Sequence, residues 1–556
     1  MRPAAAPGLQ CIRQGVLRIE ARYARRRFPH KQVAEKPRIA PKIAFMTSAR
    51  LFDRLIAPIE RLVTMLTDPA RRERACVALL FAYVAIWTLY GVLAKSSEDV
   101  HPDMSELLAW SRDLSFGYPK HPPLSAWLTA AWFAVFPVSD WAFYLLAMAV
   151  AGLALWIAWR LAGDFLDAEK RVLVLALLMF VPFFNFHALK FNANTVLLPL
   201  WGATALCFLR SFERRSAVWA ALAGLCAAGA MLGKYWSVFL LAGLGLAALL
   251  DSRRGAYFRS AAPWVTIAVG AVALAPHVVW LIRNDFEPFT YAINIHAVGY
   301  DSSALKAALY LVGLVGYVAL AVVLALAVMR PSRAALLDML RPATPERRLA
   351  ASVFWGPLLI PALIGPLVGV SISSLWSIPA WSLLPVVLLS SPLVLLHRRA
   401  MLMVVALAVL LPPAMVAAAP AIAIAIHRQE KDLSVSHSRL LAERVAYEWR
   451  RATDKPLKLI GGEDELISGT VFYLPGQVSS IPGFRPKKAL RGAPEQLRRD
   501  GVALICSAAD PRCLPRARNL GVTEPSIGIE VEIVRMHRGV AGRSARYEIF
   551  IILPQP

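Results

Sequence analysis

Residues 75–94 read ACVALLFAYVAIWTLYGVLA, an uncharged run entered through Arg71, Arg72 and Arg74. A helix of that length covers the roughly 30 Å hydrocarbon core of a bilayer. Comparable runs recur along the chain near 141–162, 172–189, 195–212, 217–233, 236–250, 263–282, 303–328, 350–370, 374–396 and 401–426. They predict an α-helical polytopic membrane protein with about eleven transmembrane helices. The boundary inside 217–250 is set at Lys234-Tyr235, where a polar pair interrupts the apolar pattern.

Composition agrees. The 556-residue chain is 57% hydrophobic and 18% charged, with a mean hydropathy of +0.52. Soluble domains hold about 45–50% apolar and about 25% charged residues. The net charge of +24 would suit nucleic acid if it formed one face or stripe. Instead the cations fall in short clusters between apolar runs, which excludes nucleic acid as the expected partner and points to the lipid bilayer.

Those clusters alternate. Arg71, Arg72 and Arg74, then Lys170 and Arg171, then Arg210, Arg214 and Arg215, occupy one set of loops. The same set continues with Arg253, Arg254 and Arg259, with Arg330, Arg333, Arg341, Arg347 and Arg348, and with Arg398 and Arg399. The opposite set holds only Arg112, Lys120, Lys190, Lys234 and Arg283 as its main cations. The positive-inside rule then puts the N-terminus in the cytoplasm and residues 95–140 and 427–556 outside. In a Gram-negative cell the chain would lie in the inner membrane with these regions periplasmic. Residues 1–70 read as a basic cytoplasmic tail without a signal-peptide h-region; Met1 and Met46 both remain candidate starts.

The segment after 427 reads differently. LKLIGG (457–462), GVALICS (501–507) and IEVEIVRM (529–536) look like strands, and RLLAERVAYEWRRA (439–452) carries helical spacing. A soluble α/β domain is expected there. Cys506 and Cys513 fall within it, in an oxidising compartment, as a candidate disulfide. No second Cys or His pair with ligand spacing accompanies them, so a metal pair is the weaker reading. GGEDE (461–465) matches a fragment of a nucleotide-cyclase signature, but on the external side a glycine turn before an acidic helix start accounts for it.

The polar stretch after the first span, DMSELLAWSRDLSFGYPKHPPLSAWL (103–128), asks for its own explanation. Charges at a membrane boundary are costly unless paired, solvated or used. Asp103 and Glu106 are one helical turn apart and share a face. Two readings stand: a solvated helix cap at Asp103, or a carboxylate acting as general base on a hydroxyl held at the membrane. Pro122-Pro123 breaks the helix, and Trp127 and Trp132 suit a re-entrant or surface-lying segment. Lys120 and His121 would then sit at headgroup level, where a lipid phosphate lies.

An Asp after the first span, a Trp, a GY pair and a basic-Pro-Pro element together resemble the first external loop of polyprenyl-phosphate-dependent glycosyltransferases. These are the family-39-like members of the glycosyltransferase C (GT-C) superfamily, related to protein O-mannosyltransferases, the lipid A aminoarabinose transferase and rhizobial galacturonosyltransferases. FNANTVLLPLW (191–201), MLGKYWSVFLLAGL (231–244) and SLWSIPAW (374–381) resemble later elements in order, so the likeness spans roughly residues 75–400.

The resemblance implies a GT-C-type fold and inverting transfer of a sugar from a polyprenyl-phosphate donor. The acceptor would be an envelope glycolipid such as lipid A, a polysaccharide or a protein. It implies Asp103 as base with Glu106 beside it, Lys120, His121, Lys234 and Tyr235 around the donor phosphate, and Asn192, Asn194 and Arg283 as further substrate contacts. For Lys234-Tyr235 an interfacial anchor is the competing reading, as it is for Lys190; for Arg283 it is a local ion pair. Three departures stand out: Met104 where most relatives have Glu, Lys120 where many have Asp, and Asn194 in place of the third-element Asp. Loss of those carboxylates leads to the expectation of no obligatory metal. A transporter or flippase of lipid-linked intermediates is the alternative function, although the polar groups gather at one face and not at the midplane.

Overall fold

In the computed structural model residues 56–429, 437–481, 493–510, 513, 515 and 527–555 are described. The choice between Met1 and Met46, and residues 1–55 of the basic tail, fall outside them. Residues 56–67 of that tail are helical, with Val63 and Leu66 buried.

Six helices among the described residues are long and apolar enough to cross a membrane: Arg72–Ala94, Asp140–Ala162, Ala262–Arg283, Tyr300–Met329, Pro345–Val368 and Arg398–Arg428. The shorter apolar helices Leu197–Arg214, Ala217–Gly233 and Val238–Leu250 pack among them. The chain is a multi-pass membrane protein. The break expected at Lys234-Tyr235 is present, as a 3-10 turn over Tyr235–Ser237.

Two expected spans are not continuous helices. The helix Ala168–Leu178 has 11 residues and ends before a short 3-10 turn at Pro182–Phe184. At about 1.5 Å per residue it covers only half a bilayer core. Residues 179–196 then run irregularly and, apart from the exposed Phe186 and His187, largely buried, with Asn185 donating to Met179 O at 2.9 Å and Tyr83 donating to Phe184 O at 3.0 Å. Irregular backbone is tolerated at membrane depth only when protein satisfies it, and hydropathy cannot distinguish such a segment from a span. In 374–396 the 3-10 segment Ser374–Leu383 leads into the six-residue helix Leu384–Leu389, with Pro379 and Pro385 interrupting regular α-geometry.

The Arg-rich loops meet one another at one end of the bundle. Arg171 pairs with Glu73 at 3.0 Å, Arg210 with Asp164 at 2.7 Å and Arg398 with Glu169 at 2.7 Å. Arg253 bridges Glu213 at 2.8 Å and Glu346 at 3.0 Å. The Arg-poor loops, with the region after 437, gather at the other end.

That region folds as an α/β domain. Its strands are β1 (Leu459–Gly462), β2 (Ser479–Ser480), β3 (Val502–Ser507), β4 (Ile527–His537) and β5 (Val540–Ile552). They form one sheet in the order β2-β1-β3-β5-β4, parallel across β2, β1 and β3 and antiparallel beyond. Leu441, Val445 and Trp449 from helix Ser438–Ala452 and Ile467 from helix Asp464–Tyr473 bury against Ile460, Ile505 and Ile549 of the sheet. Gly462 has φ of 129°, and a Cβ there would lie 1.9 Å from Ile505 O. The GG of GGEDE is therefore a backbone requirement of the β1 exit. Cys506, at the end of β3, is joined to Cys513 by a disulfide.

Candidate active site

The loop after the first long helix carries two short helices, Pro102–Ser111 and Leu124–Phe133. His101 caps the first: its Nδ1 accepts from Asp103 N–H at 3.1 Å, and Pro102 takes the first helical position, where no N–H is needed. Leu124–Phe133 has 10 residues, too short to span, in keeping with a re-entrant or surface-lying segment.

Asp103 meets the irregular segment 179–196. Lys190 Nζ lies 3.0 Å from its Oδ2, and Asn192 Nδ2 donates to the same oxygen at 2.9 Å. The Asn192 carbonyl in turn accepts from the N–H groups of Asn194 and Thr195 at 2.9 and 3.1 Å, which fixes its orientation. Oδ1 accepts no hydrogen bond among the described residues, and the side chain keeps 43% of its accessible surface. One oxygen is thus held and the other is free to meet a ligand. Burial alone would raise the Asp103 carboxyl, but Lys190, His101 and the Asn192 hydrogen bond outweigh it and hold it at about 2. The carboxylate is ionised across the physiological range. His101 is lowered by burial to about 4 and is neutral there.

A second lysine approaches from another loop. Lys234 Nζ donates to Asn194 Oδ1 at 2.6 Å and lies 5.0 Å from the centre of the Trp376 ring. Three expected elements, 191–201, 231–244 and 374–381, therefore converge on one ammonium group. Burial lowers Lys234 to about 8, with Asp103 pulling the other way. Lys120 is engaged differently: its Nζ is 2.5 Å from Glu106 Oε1, so one turn beyond Asp103 the second carboxylate already has a cation. His121 packs edge-on to Trp110 at 6.2 Å and is lowered to about 3, first by burial and then by Lys234. It is a neutral hydrogen-bonding group.

Tyr235 is committed to structure. A carbonyl oxygen only accepts, so the 2.6 Å contact of His277 Nδ1 with Phe116 O places the proton on Nδ1. Nε2 then accepts from the Tyr235 hydroxyl at 3.1 Å. Tyr235, His277 and the first external loop form one chain of hydrogen bonds, which favours the anchoring reading of Tyr235. Gly117 explains the GY pair: a Cβ there would lie 2.3 Å from Trp280, one turn beyond His277. Tyr118 stacks on Trp110 at 5.0 Å and donates to backbone carbonyls at Trp110 and Asp113. Arg283 is exposed at the end of helix Ala262–Arg283 and joins none of these groups by a hydrogen bond or ion pair among the described residues.

Thus Asp103, Asn192, Asn194 and Lys234 come together, with His121 beside them and the Glu106–Lys120 pair on the same loop. Lys190 has a larger place than its anchor reading suggested. His277, Trp280 and Trp376 were not anticipated: the first two sit in a plain apolar run, and SLWSIPAW gave no sign of which tryptophan faces the cation.

The comparisons with known proteins follow the same lines. A family profile for dolichyl-phosphate-mannose-protein mannosyltransferases matches residues 120–280. Over 189 residues the chain is 26% identical to the lipid A galacturonosyltransferase RgtD of Rhizobium johnstonii, covering 34% of this chain and 39% of that protein. The aligned part is therefore well under half of that relative. The crystal structure of ArnT from Cupriavidus metallidurans bound to undecaprenyl phosphate superposes with a TM-score of 0.57 at 15% identity, covering 85% of this chain and 97% of ArnT. The apo state of ArnT gives 0.56 at 14% identity over the same shares. These structures share the fold. The matched profile and RgtD are both glycosyltransferases by name, in keeping with the motif resemblance to the polyprenyl-phosphate-dependent enzymes of the GT-C type.

Proposed function

We propose that this GT-C-type membrane protein transfers a sugar from a polyprenyl-phosphate carrier to an acceptor hydroxyl of an envelope glycolipid, at the periplasmic face of the inner membrane. The observation that carries the reading is the convergence of Asp103, half held by Lys190 and Asn192, with Lys234 from a separate loop.

Each group has a task in such a transfer. The acceptor hydroxyl approaches Oδ1 of Asp103 and gives up its proton there as its oxygen bonds to the anomeric carbon. The bond from that carbon to the phosphate oxygen breaks, and its electron pair stays on the phosphate. Attack and departure on opposite faces invert the anomeric centre. The carrier changes from a phosphodiester to a monoester and gains negative charge, which Lys234 offsets in a site with little competing water. His121, neutral, supplies a hydrogen-bond donor beside it. RgtD, by its name, acts on lipid A, and ArnT has been seen with undecaprenyl phosphate; both favour a polyprenyl donor and a lipid acceptor here.

The test is Asp103→Asn in a strain whose envelope glycolipid changes mass when the gene is deleted. Loss of a general base predicts a fall of about 10²–10⁴ in transfer. Full glycolipid modification by the variant, at equal expression, would remove Asp103 from the chemistry.

A further inference from the structure

Residues 97–103 carry the chain from the end of the first long helix to Asp103, and beside the local Lys95–Glu98 pair and the His101 cap they are held by groups distant in sequence. Ser97 Oγ donates to Ala423 O, on the last long helix, at 2.9 Å. Asp99 has a side chain with no exposed surface. Its carboxylate accepts from Arg535 Nη1 at 2.6 Å and from the backbone N–H of Arg439 at 3.1 Å. The N–H of Val100 donates to the Tyr473 hydroxyl at 2.9 Å. Arg439 spans the same junction, pairing with Asp140 at 2.7 Å while lying 4.3 Å from the Tyr473 ring centre.

The far end of the short helix is held too. Arg112, its C-cap, donates to the carbonyls of Val478 and Val471. The helix Pro102–Ser111 packs along Asp464–Tyr473, and Phe472 stacks on Phe143 of the membrane domain at 6.0 Å. Arg535, Arg439, Tyr473, Val471 and Val478 all belong to the C-terminal domain. The helix that presents Asp103 is therefore fixed before its first residue and after its last by a domain more than 300 residues away in sequence.

A fully buried carboxylate is a poor source of net stability, because desolvation consumes much of the ion-pair energy. Its geometric consequence is clearer: Asp99 and Arg535 must meet in one arrangement or leave a charge buried alone. Asp99 lies four residues before Asp103, so that arrangement sets where the helix starts.

We infer that the C-terminal domain is a brace for the catalytic loop, with Asp99, Arg535 and Tyr473 as positioning residues that fix the Asp103 carboxylate relative to Lys190 and Lys234. This rests on the reading of Asp103 as the base.

The experiment uses the full chain in lipid nanodiscs and compares Arg535→Met, Arg535→Lys and Tyr473→Phe with the parent protein. Tyr473→Phe removes one hydroxyl, with its contacts to Val100 N–H and to the Asp140–Arg439 pair, and keeps the ring packing, so it remains informative if Arg535→Met does not fold. Three quantities are read: amide hydrogen exchange in 100–112, binding of undecaprenyl phosphate, and glycolipid mass in the complemented strain. Both Tyr473→Phe and Arg535→Met are expected to speed exchange in 100–112 by about tenfold or more while the long membrane helices keep parental rates. Transfer is expected to fall by about tenfold or more, as displaced catalytic groups require. Undecaprenyl phosphate binding stays within about threefold, since Lys234 is held by Asn194 and Trp376 and not by the domain. Arg535→Lys restores most of both losses. Parental exchange and transfer in both variants overturn the brace, and so does faster exchange spread over the whole chain. Full transfer by Asp103→Asn would instead strike the base assignment, and the exchange data would still decide whether the domain orders the loop.

Discussion

Lys190 and Asp103 form an ion pair at 3.0 Å across the two loops that build the site, and Asn192 fastens the same carboxylate oxygen at 2.9 Å. The pair makes Asp103 a well-placed but weak base. Burial raises its carboxyl, yet Lys190 and its companions hold it at about 2, far below the range in which a carboxylate takes a proton readily. A bound donor phosphate offers Lys190 a second partner, and any loosening of the pair returns basicity to Asp103.

Lys190→Gln should therefore move the acid limb of the pH–rate profile. With the cation gone, the largest lowering influence on Asp103 disappears and its pKa rises. The carboxylate is the active form, so activity lost on acidification is lost at a higher pH in the variant than in the parent. Transfer measured in extracts from pH 3 to 9 checks this; an unmoved acid limb would show that Lys190 does not act through Asp103.

The alkaline limb belongs to Lys234. Burial lowers its pKa to about 8, and the charged form is the one that offsets a departing phosphate. Transfer should hold steady through neutral pH and fall as pH rises past about 8. A bound phosphate favours the ammonium form, so the limb should shift upward at saturating donor. Lys234→Arg, whose guanidinium does not deprotonate, should lose the alkaline fall even if its overall rate is lower. His121 contributes no limb in this range, because it is neutral above about 3.

Much of the site was legible because its chemistry is written in local motifs. Asp103 and Lys234 each stand in a polar interruption of an apolar run, and such interruptions are costly unless used, whereas Asn192 and Asn194 are implied only by the family resemblance. The fold class and the single Arg-rich end followed from hydropathy and charge for the same reason. What could not be read is what depends on packing. The segment 172–189 looks like a span because buried irregular backbone and a lipid-facing helix have the same composition. His277 lies in an apolar helix, and only the structure shows that it joins Tyr235 to the Phe116 carbonyl. The neutrality of His121 and the pairing of Lys120 with Glu106 are likewise consequences of burial and distance, which spacing does not report.

Gly117 is the sharpest packing constraint in the first loop. A methyl group there would overlap Trp280, whose ring stacks on His277. Gly117→Ala should destabilise the protein by about 1–3 kcal/mol, as overpacking does, and should lower transfer by displacing the loop that carries Lys120 and His121. Trp280→Leu makes room, so the double variant should recover stability relative to Gly117→Ala alone. Thermal midpoints of the four proteins form a double-mutant cycle, and strict additivity would mean that the two residues do not clash.

The disulfide between Cys506 and Cys513 allows stability and sidedness to be tested together. It closes a short loop at the end of β3 beside the buried Leu459, Val502 and Leu504. Chain-entropy reasoning for so small a loop gives about 2–3 kcal/mol. Cys506→Ser/Cys513→Ser should therefore lower the urea midpoint of the C-terminal domain by about 1–2 M, while the membrane helices keep their signal. In a variant whose only cysteines are Cys506 and Cys513, in intact cells with a permeabilised outer membrane, a membrane-impermeant maleimide should label only after reduction, with urea added to expose the buried pair. Labelling without a reductant would mean that the bond does not form in the cell. Labelling only after the inner membrane is opened would place the domain, and the Asp103 loop bound to it, on the cytoplasmic side, reversing the orientation inferred from the arginines.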